Sequence, residues 1–210
     1  MLRKRFFETS RGRIVALLQR GELTVERMSS EMAVTPNAVR AQLIGMERDG
    51  LVRRAGNKRA GATRPSQLFE LTPEVHQLLS RAYIPLLTYL LHVLTTRQST
   101  AQVNRLMRET GKALAAEFPA ADRLSNAPLS GRVQAVSTFL NTELGAVTEV
   151  VKDNGHFVIQ GVSCPLSAIT GKHRAVCLAI ESMVHEIVGA PVRECCARSE
   201  RPRCCFQVGE

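Results

Sequence analysis

Tryptophan is absent, and the 210 residues hold only 2 Tyr and 7 Phe. So few rings argue against a single-strand nucleic-acid channel, which stacks successive bases on aromatic platforms. Long apolar runs are missing too. The longest, from Ala82 to Leu94, is interrupted by Pro85, Thr88 and His92 and falls short of the roughly 18 residues that suggest a membrane span. The first residues, Met1-Leu2-Arg3-Lys4-Arg5-Phe6-Phe7-Glu8, are basic without an apolar stretch behind them. A secretory signal is therefore not expected, and a cytoplasmic location is. There is no phosphate-binding glycine loop, no Gly-x-Ser-x-Gly and no His-Glu-x-x-His, so enzyme function is not expected. With 44% hydrophobic and 22% charged residues the chain has the composition of a globular protein, which excludes a disordered or low-complexity reading.

What is present is unevenly placed. Residues 1–72 carry 14 Lys+Arg against 7 Asp+Glu, a net of +7, whereas residues 73–210 carry 14 against 12, a net of +2. A basic module followed by a nearly neutral one points to a polyanion partner for the first, with nucleic acid ahead of an anionic membrane. All six cysteines lie from Cys164 onward: Cys164, Cys177, Cys195, Cys196, Cys204 and Cys205. In a cytoplasmic chain such clustering reads as metal binding or redox chemistry rather than as a disulfide framework.

The basic third reads as three helices and a hairpin. Thr9 or Ser10 caps a first helix with Ile14, Leu17 and Leu18 inward, and Thr24 caps a second with Val25, Met28 and Met32 inward. Thr35-Pro36 starts a third, whose inward stripe is Val39, Leu43 and Met46 and which ends at Gly50. Ser, Thr and Asp are favoured N-caps, and Pro suits the first helical position. Leu51 to Arg54 and Leu68 to Leu71 are strand patterns around a glycine-rich basic loop. The expected fold is a winged helix-turn-helix over residues 1–72. Thr35, Asn37, Arg40, Ala41 and Gln42 would face a major groove, and Lys58, Arg59 and Arg64 of the wing would meet phosphates.

Residues 73–127 form the expected helical dimerisation region. Two long helices are predicted across 73–118, the first kinked at Pro85. The first carries a wide apolar face through Val75, Leu79, Leu86, Leu90 and Leu94; the second begins at Ser99-Thr100. A homodimer joined there implies a palindromic site on double-stranded promoter DNA. Residues 128–210 are the expected small α+β cysteine-bearing sensor domain. It comprises a helix through Val133, Val136 and Leu140, a hairpin around Asp153-Asn154-Gly155, a helix over 172–188 and two short terminal strands. The fold class is thus α+β. His173 and Cys177 fall at ligand spacing on that helix, with a surface role the stronger reading for the histidine; Glu181, His185 and Glu186 read as a solvated face.

Four thiolates suit an iron–sulfur cluster or zinc, and the knuckle spacing of a zinc finger is missing. The segment Thr35-Pro36-Asn37-Ala38-Val39-Arg40-Ala41-Gln42-Leu43, with Glu47-Arg48-Asp49-Gly50-Leu51-Val52, resembles the recognition helix and first wing strand of ArsR/DeoR-like winged-helix repressors. Cys164-Pro165-Leu166, Cys177 on a helix and Arg203-Cys204-Cys205-Phe206 look like the SufR-type iron–sulfur transcriptional repressors. That resemblance implies a DNA-binding repressor controlled by a four-iron or two-iron cluster on four cysteines. The sequence departs from the pattern at the third ligand, which would fall near Ala190-Pro191 and must shift to Cys195 or Cys196. Strand alternation lets one cysteine of each doublet face the cluster. The expected ligands are Cys164, Cys177, Cys196 and Cys204, with Cys195 and Cys205 as packing thiols, the stronger reading, or as a disulfide or redox pair. A zinc-binding or thiol-redox regulator is the alternative. No membrane and no small-molecule substrate are expected.

Overall fold

The computed structural model describes residues 2–58, 65–118, 124, 126–153, 155–197 and 202–209. The chain divides into two compact units, Met1–Arg81 and Ala82–Glu210.

In the first unit, helix α1 (Leu2–Glu8) precedes α2 (Ser10–Leu18). The Thr9 hydroxyl caps α2 by accepting from the Gly12 N–H at 3.0 Å. Strand β1 (Leu23–Thr24) leads into α3 (Val25–Met32), which Thr24 caps through the Arg27 N–H, and α4 (Pro36–Arg48) follows, capped by Thr35 through the Ala38 N–H. The chain then forms β2 (Val52–Lys58) and β3 (Ser66–Leu71). These three strands make one antiparallel sheet in the order β1-β3-β2. The wing is therefore three-stranded rather than a simple hairpin, because Leu23 and Thr24 pair with Phe69 and Leu68. Two residues carry too little pattern to be read as a strand from sequence. Helix α5 (Pro73–Leu79) closes the unit and buries Val75 in its core. That core gathers Ile14, Leu18, Met28, Leu43, Met46 and Leu71. The inward stripe expected for the third helix is the one observed, with Val39, Leu43 and Met46 all buried.

The second unit begins with α6 (Tyr83–Arg97) and α7 (Thr100–Ala116). Residues 73–118 thus hold three helices instead of the two long ones expected. The break falls at Ser80–Ala82, and Pro85 lies in the first turn of α6. A proline there lacks an N–H that would be unpaired anyway, so it permits the start of a helix instead of kinking its middle. Ser99 and Gln102 form a capping box on α7. Helix α8 (Leu129–Thr142) leads to β4 (Thr148–Asp153) and β5 (His156–Gly161), then a short α9 (Ser167–Thr170), α10 (Val176–Val188), β6 (Val192–Glu194) and β7 (Cys205–Val208). The sheet order is β4-β5-β7-β6, all antiparallel. Its inner face packs Ile159, Phe206 and Val208 against Val133, Val136, Met183 and Val188.

Two polar devices fix this unit. Asn141 on α8 clasps Thr148 at the head of β4: its Oδ1 accepts from the Thr148 N–H at 2.7 Å and its Nδ2 donates to the Thr148 carbonyl at 2.9 Å. Glu181 on α10 accepts from the Glu194 N–H at 2.8 Å, so this carboxylate holds β6 and is not part of a solvated face as expected. Helix α10 starts only at Val176, which removes His173 from it; the histidine is 8% exposed, contrary to the surface role expected. His173 N–H donates to the Ile169 carbonyl at 3.0 Å in the preceding turn.

Candidate nucleic-acid interface and thiol cluster

Helix α4 presents Thr35, Asn37, Arg40 and Ala41 to solvent, while Gln42 is half-buried. The Thr35 oxygen is occupied by its cap, accepting from the Ala38 N–H at 3.2 Å, which leaves its O–H free to donate. Arg40 is held on its own surface. Its guanidinium donates to Asn37 Oδ1 at 3.1 Å and to Glu26 Oε1 at 3.2 Å. Arg53 and Arg54 are likewise paired, with Glu70 at 2.8 Å and Glu47 at 3.0 Å. These side chains are all about a third or more exposed, and such exposed pairs hold their partners only weakly. Lys58 ends β2 opposite Ser66. Arg59 and Arg64 lie outside the described residues.

One member of this face was missed. Ile44 is 69% exposed on α4, one and two turns from Arg40 and Asn37. The signal for it was available: Ile44 is an apolar residue out of step with the Val39, Leu43, Met46 stripe. An exposed aliphatic group among short polar ones is what a thymine methyl would meet.

In the second unit, parity sorts the two cysteine doublets. Cys195 N–H donates to the Cys205 carbonyl at 2.8 Å, and Ala197 bridges Arg203, so the strands continue as a ladder through both doublets. Cys195 and Cys205 form a disulfide with Cα atoms 4.9 Å apart. They are not packing thiols. Register explains the pair: directly opposed residues on one face of an antiparallel ladder come within disulfide range. Cys196 and Cys204 turn to the opposite face and pack on the core of the unit.

There they meet the other two cysteines. Cys177 is buried in the first turn of α10, and Cys164 sits in the loop between β5 and α9. Cys196 lies within hydrogen-bonding reach of both Cys177 and Cys204, and Cys204 in turn of Cys164. Cys177 feels the charge of Cys164 as well. Hydrogen bonds from Cys177 and Cys204, with a smaller one from the Cys205 backbone N–H at 3.2 Å, hold Cys196 far below the usual thiol range. The same contacts with Cys196, together with burial, push Cys177 and Cys204 up.

Cys164, Cys177 and Cys196 line a cavity of about 320 Å³ with Arg174 and Arg203 at its walls. In donor type and number the set suits a thiolate-bound metal group, and the two guanidiniums would offset its negative charge. As the side chains stand, no three His, Cys, Asp or Glu among the described residues surround a single ion position; the thiols meet one another pairwise. Binding a metal here would open these contacts and release protons. His156 lines a second groove, with Cys195, Cys204 and Cys205, and not the cavity bordered by Cys164, Cys177 and Cys196.

No single helix among the described residues is long and apolar enough to cross a membrane. No protein-family model matches the chain, and no curated protein matches it. Among solved structures it is similar to Bacillus subtilis PadR in complex with operator DNA, at 15% identity and a TM-score of 0.30, over 66% of this chain and 94% of that chain.

Proposed function

We propose that this chain is a transcription regulator that binds double-stranded promoter DNA through α4 and the wing of its first unit. We propose further that Cys164, Cys177, Cys196 and Cys204 are the ligands of an iron–sulfur cluster that controls this binding. The observation that carries the reading is the meeting of those four thiols. They come from a loop, a helix start and two strand ends, far apart in sequence, and they meet in a chain that also carries a basic winged helix.

A cluster bound there supplies a redox-active, oxygen-sensitive tie between otherwise separate segments. The chain's own residues do the rest. Cys164 fastens the β5–α9 loop, Cys177 the start of α10, and Cys196 and Cys204 the ends of the β6–β7 hairpin. Releasing all four loosens the elements that Glu181 and the Cys195–Cys205 bridge otherwise hold. In a homodimer this biases the separation of two α4 helices against the roughly 34–36 Å repeat of a duplex turn. The homodimer is supported by α6, where Tyr83, Ile84, Leu86, Tyr89 and Val93 are between 47% and 71% exposed. A helix apolar on all sides is ordinarily covered.

The test is anaerobic purification of the full chain. Brown protein with iron and acid-labile sulfide, whose footprint on a promoter changes when the cluster is removed, supports the proposal. Colourless protein with one zinc, or with no metal and unchanged DNA binding, overturns the cluster. A second reading, a thiol-redox regulator without a cluster, is favoured by the Cys195–Cys205 disulfide beside four thiols. It predicts DNA binding that follows dithiothreitol and not iron.

A further inference from the structure

Within the second unit, α6 roofs a cavity of about 590 Å³ whose other walls come from α7, α8, α10 and β7. Leu90 and Leu94 reach it from α6, Leu106 from α7, Leu144 from just beyond α8, Ile180 from α10 and Phe206 from β7. Among the described residues no charged one lines it, and the polar side chains that do are Thr110, Thr148 and Cys204. The Thr110 hydroxyl already donates to the Leu106 carbonyl at 2.8 Å. The Thr148 hydroxyl is engaged with Ser137 at 2.8 Å and Asn141 at 2.9 Å. A buried water needs two to four polar partners, so this wall cannot order water through much of its volume. The volume falls in the range of about 300–1,000 Å³ typical of small-molecule sites.

Helix α6 gives a second, independent indication. Leu91 is its one buried residue, although Leu87, Leu90 and Leu94 also border the cavity. The roof lies over the space without being packed into it. Leu87 and Leu90, 38% and 52% exposed, stand both on the wall and on the open side of α6, whereas Tyr83, Leu86 and Tyr89 are exposed on α6 away from the wall, so a second copy covering α6 is the outcome the test must separate from a bound ligand.

We infer that this cavity is a binding site for a small, uncharged hydrophobic molecule, an aromatic or alkyl compound with at most one polar group. No cation among the described wall residues would pair with the carboxylate of a fatty acid or with another anion, so the wall favours an uncharged ligand. The inference rests on the cavity alone and stands whether or not the thiols bind metal. Cys204 lies both on its wall and among the four thiols, which places the ligand beside the proposed sensing group.

The test uses the full chain and N-phenyl-1-naphthylamine, an uncharged apolar fluorophore. Saturable fluorescence enhancement at one probe per chain is expected. Leu144→Phe and Thr110→Phe, which add bulk from two different walls, should each weaken it tenfold or more. Thr110 is exposed on its outer side, so its replacement keeps the test informative if Leu144→Phe does not fold. Tyr89→Glu should leave probe affinity unchanged. Binding that never saturates, that is lost in Tyr89→Glu while both filling variants retain it, or that disappears as the chain self-associates, overturns the inference.

Discussion

The backbone N–H of Cys205 donates to the sulfur of Cys196 at 3.2 Å, while the side chain of Cys205 turns away to bond Cys195. One residue thus serves both faces of the terminal hairpin. Its main chain positions the central thiol of the cluster, and its sulfur staples the strands behind it.

This division predicts different consequences for the six cysteines. On the proposed cluster, serine at Cys164, Cys177, Cys196 or Cys204 removes a donor from the group and should lower iron retained under anaerobic purification roughly tenfold or more. Serine at Cys195 or Cys205 leaves the donors in place and should keep most of the iron, at a cost in thermal stability from the lost loop closure. Iron and sulfide assays on the six single variants check this. Equal losses across all six would mean that parity does not separate the doublets.

On the proposed DNA reading, Arg40 must leave Glu26 before it can reach a base edge or phosphate. Glu26→Gln should therefore strengthen operator binding, since it removes both the competing partner and a negative charge next to the duplex. Arg40→Ala should blunt discrimination between operator and mismatched sites by about 1–3 kcal/mol. Lys58→Ala should weaken binding to all sequences alike and reduce the salt slope by about one unit. Fluorescence-anisotropy titrations over a range of salt, on operator and scrambled duplexes, separate the three outcomes.

Much of the first unit was legible because its signals are local. Thr35-Pro36 fixes where α4 starts, and the Val39, Leu43, Met46 spacing fixes which side is inward. The break at Ser80–Ala82 was not legible, because the apolar pattern runs straight through it and Pro85 draws attention to the wrong place. In the cysteine-bearing unit, alternation along a strand sorted the doublets by face. It raised a Cys195–Cys205 disulfide only behind packing thiols, since the choice depends on the register across the turn. Nor does any local pattern report that His173 is buried, because its surroundings are set by the turn between α9 and α10. The apolar cavity was equally hidden: its wall comes from elements spread between Leu87 and Phe206.

Asp49 joins the two ends of the first unit's helical core. Arg11 on α2 donates to its Oδ2 at 2.9 Å and Arg48 to its Oδ1 at 3.3 Å. Hydrogen bonds from Arg11 and then Arg48 hold its carboxyl below the ordinary value of 3.8. A carboxyl depressed in the folded state stabilises above its unfolded pKa, and that stabilisation is lost as pH falls through the folded value. Wild type should therefore lose urea resistance more steeply than Asp49→Asn as pH drops from 5 toward 2, and the two should converge at the acid end. Because the pair is on the surface, high salt should narrow the difference at pH 5. Parallel urea curves at all pH values would show that Asp49 adds nothing.

Gly111 sits where α7 crosses α10 most closely. A Cβ there would strike the Ala179 carbonyl oxygen and come within 2.7 Å of the Ser182 Cβ and 2.9 Å of the Met183 nitrogen. Two effects oppose each other in Gly111→Ala. Alanine gains about 1 kcal/mol of helix propensity over glycine, while overpacking a tight contact costs about 1–3 kcal/mol. Two of the three nearest atoms are backbone and cannot rotate away, so the clash should win. The crossing must then widen, which also lengthens the hydrogen bond from Ser182 Oγ to the Arg108 carbonyl, now 3.0 Å. The expected outcome is a lower thermal midpoint for the second unit, with that of the first unchanged. Cys177 stands at the start of the displaced helix, so on the proposed cluster the variant should also retain less iron than wild type. A raised midpoint in Gly111→Ala would show that the two helices slide apart at no cost and that their close approach does not hold the thiols in place.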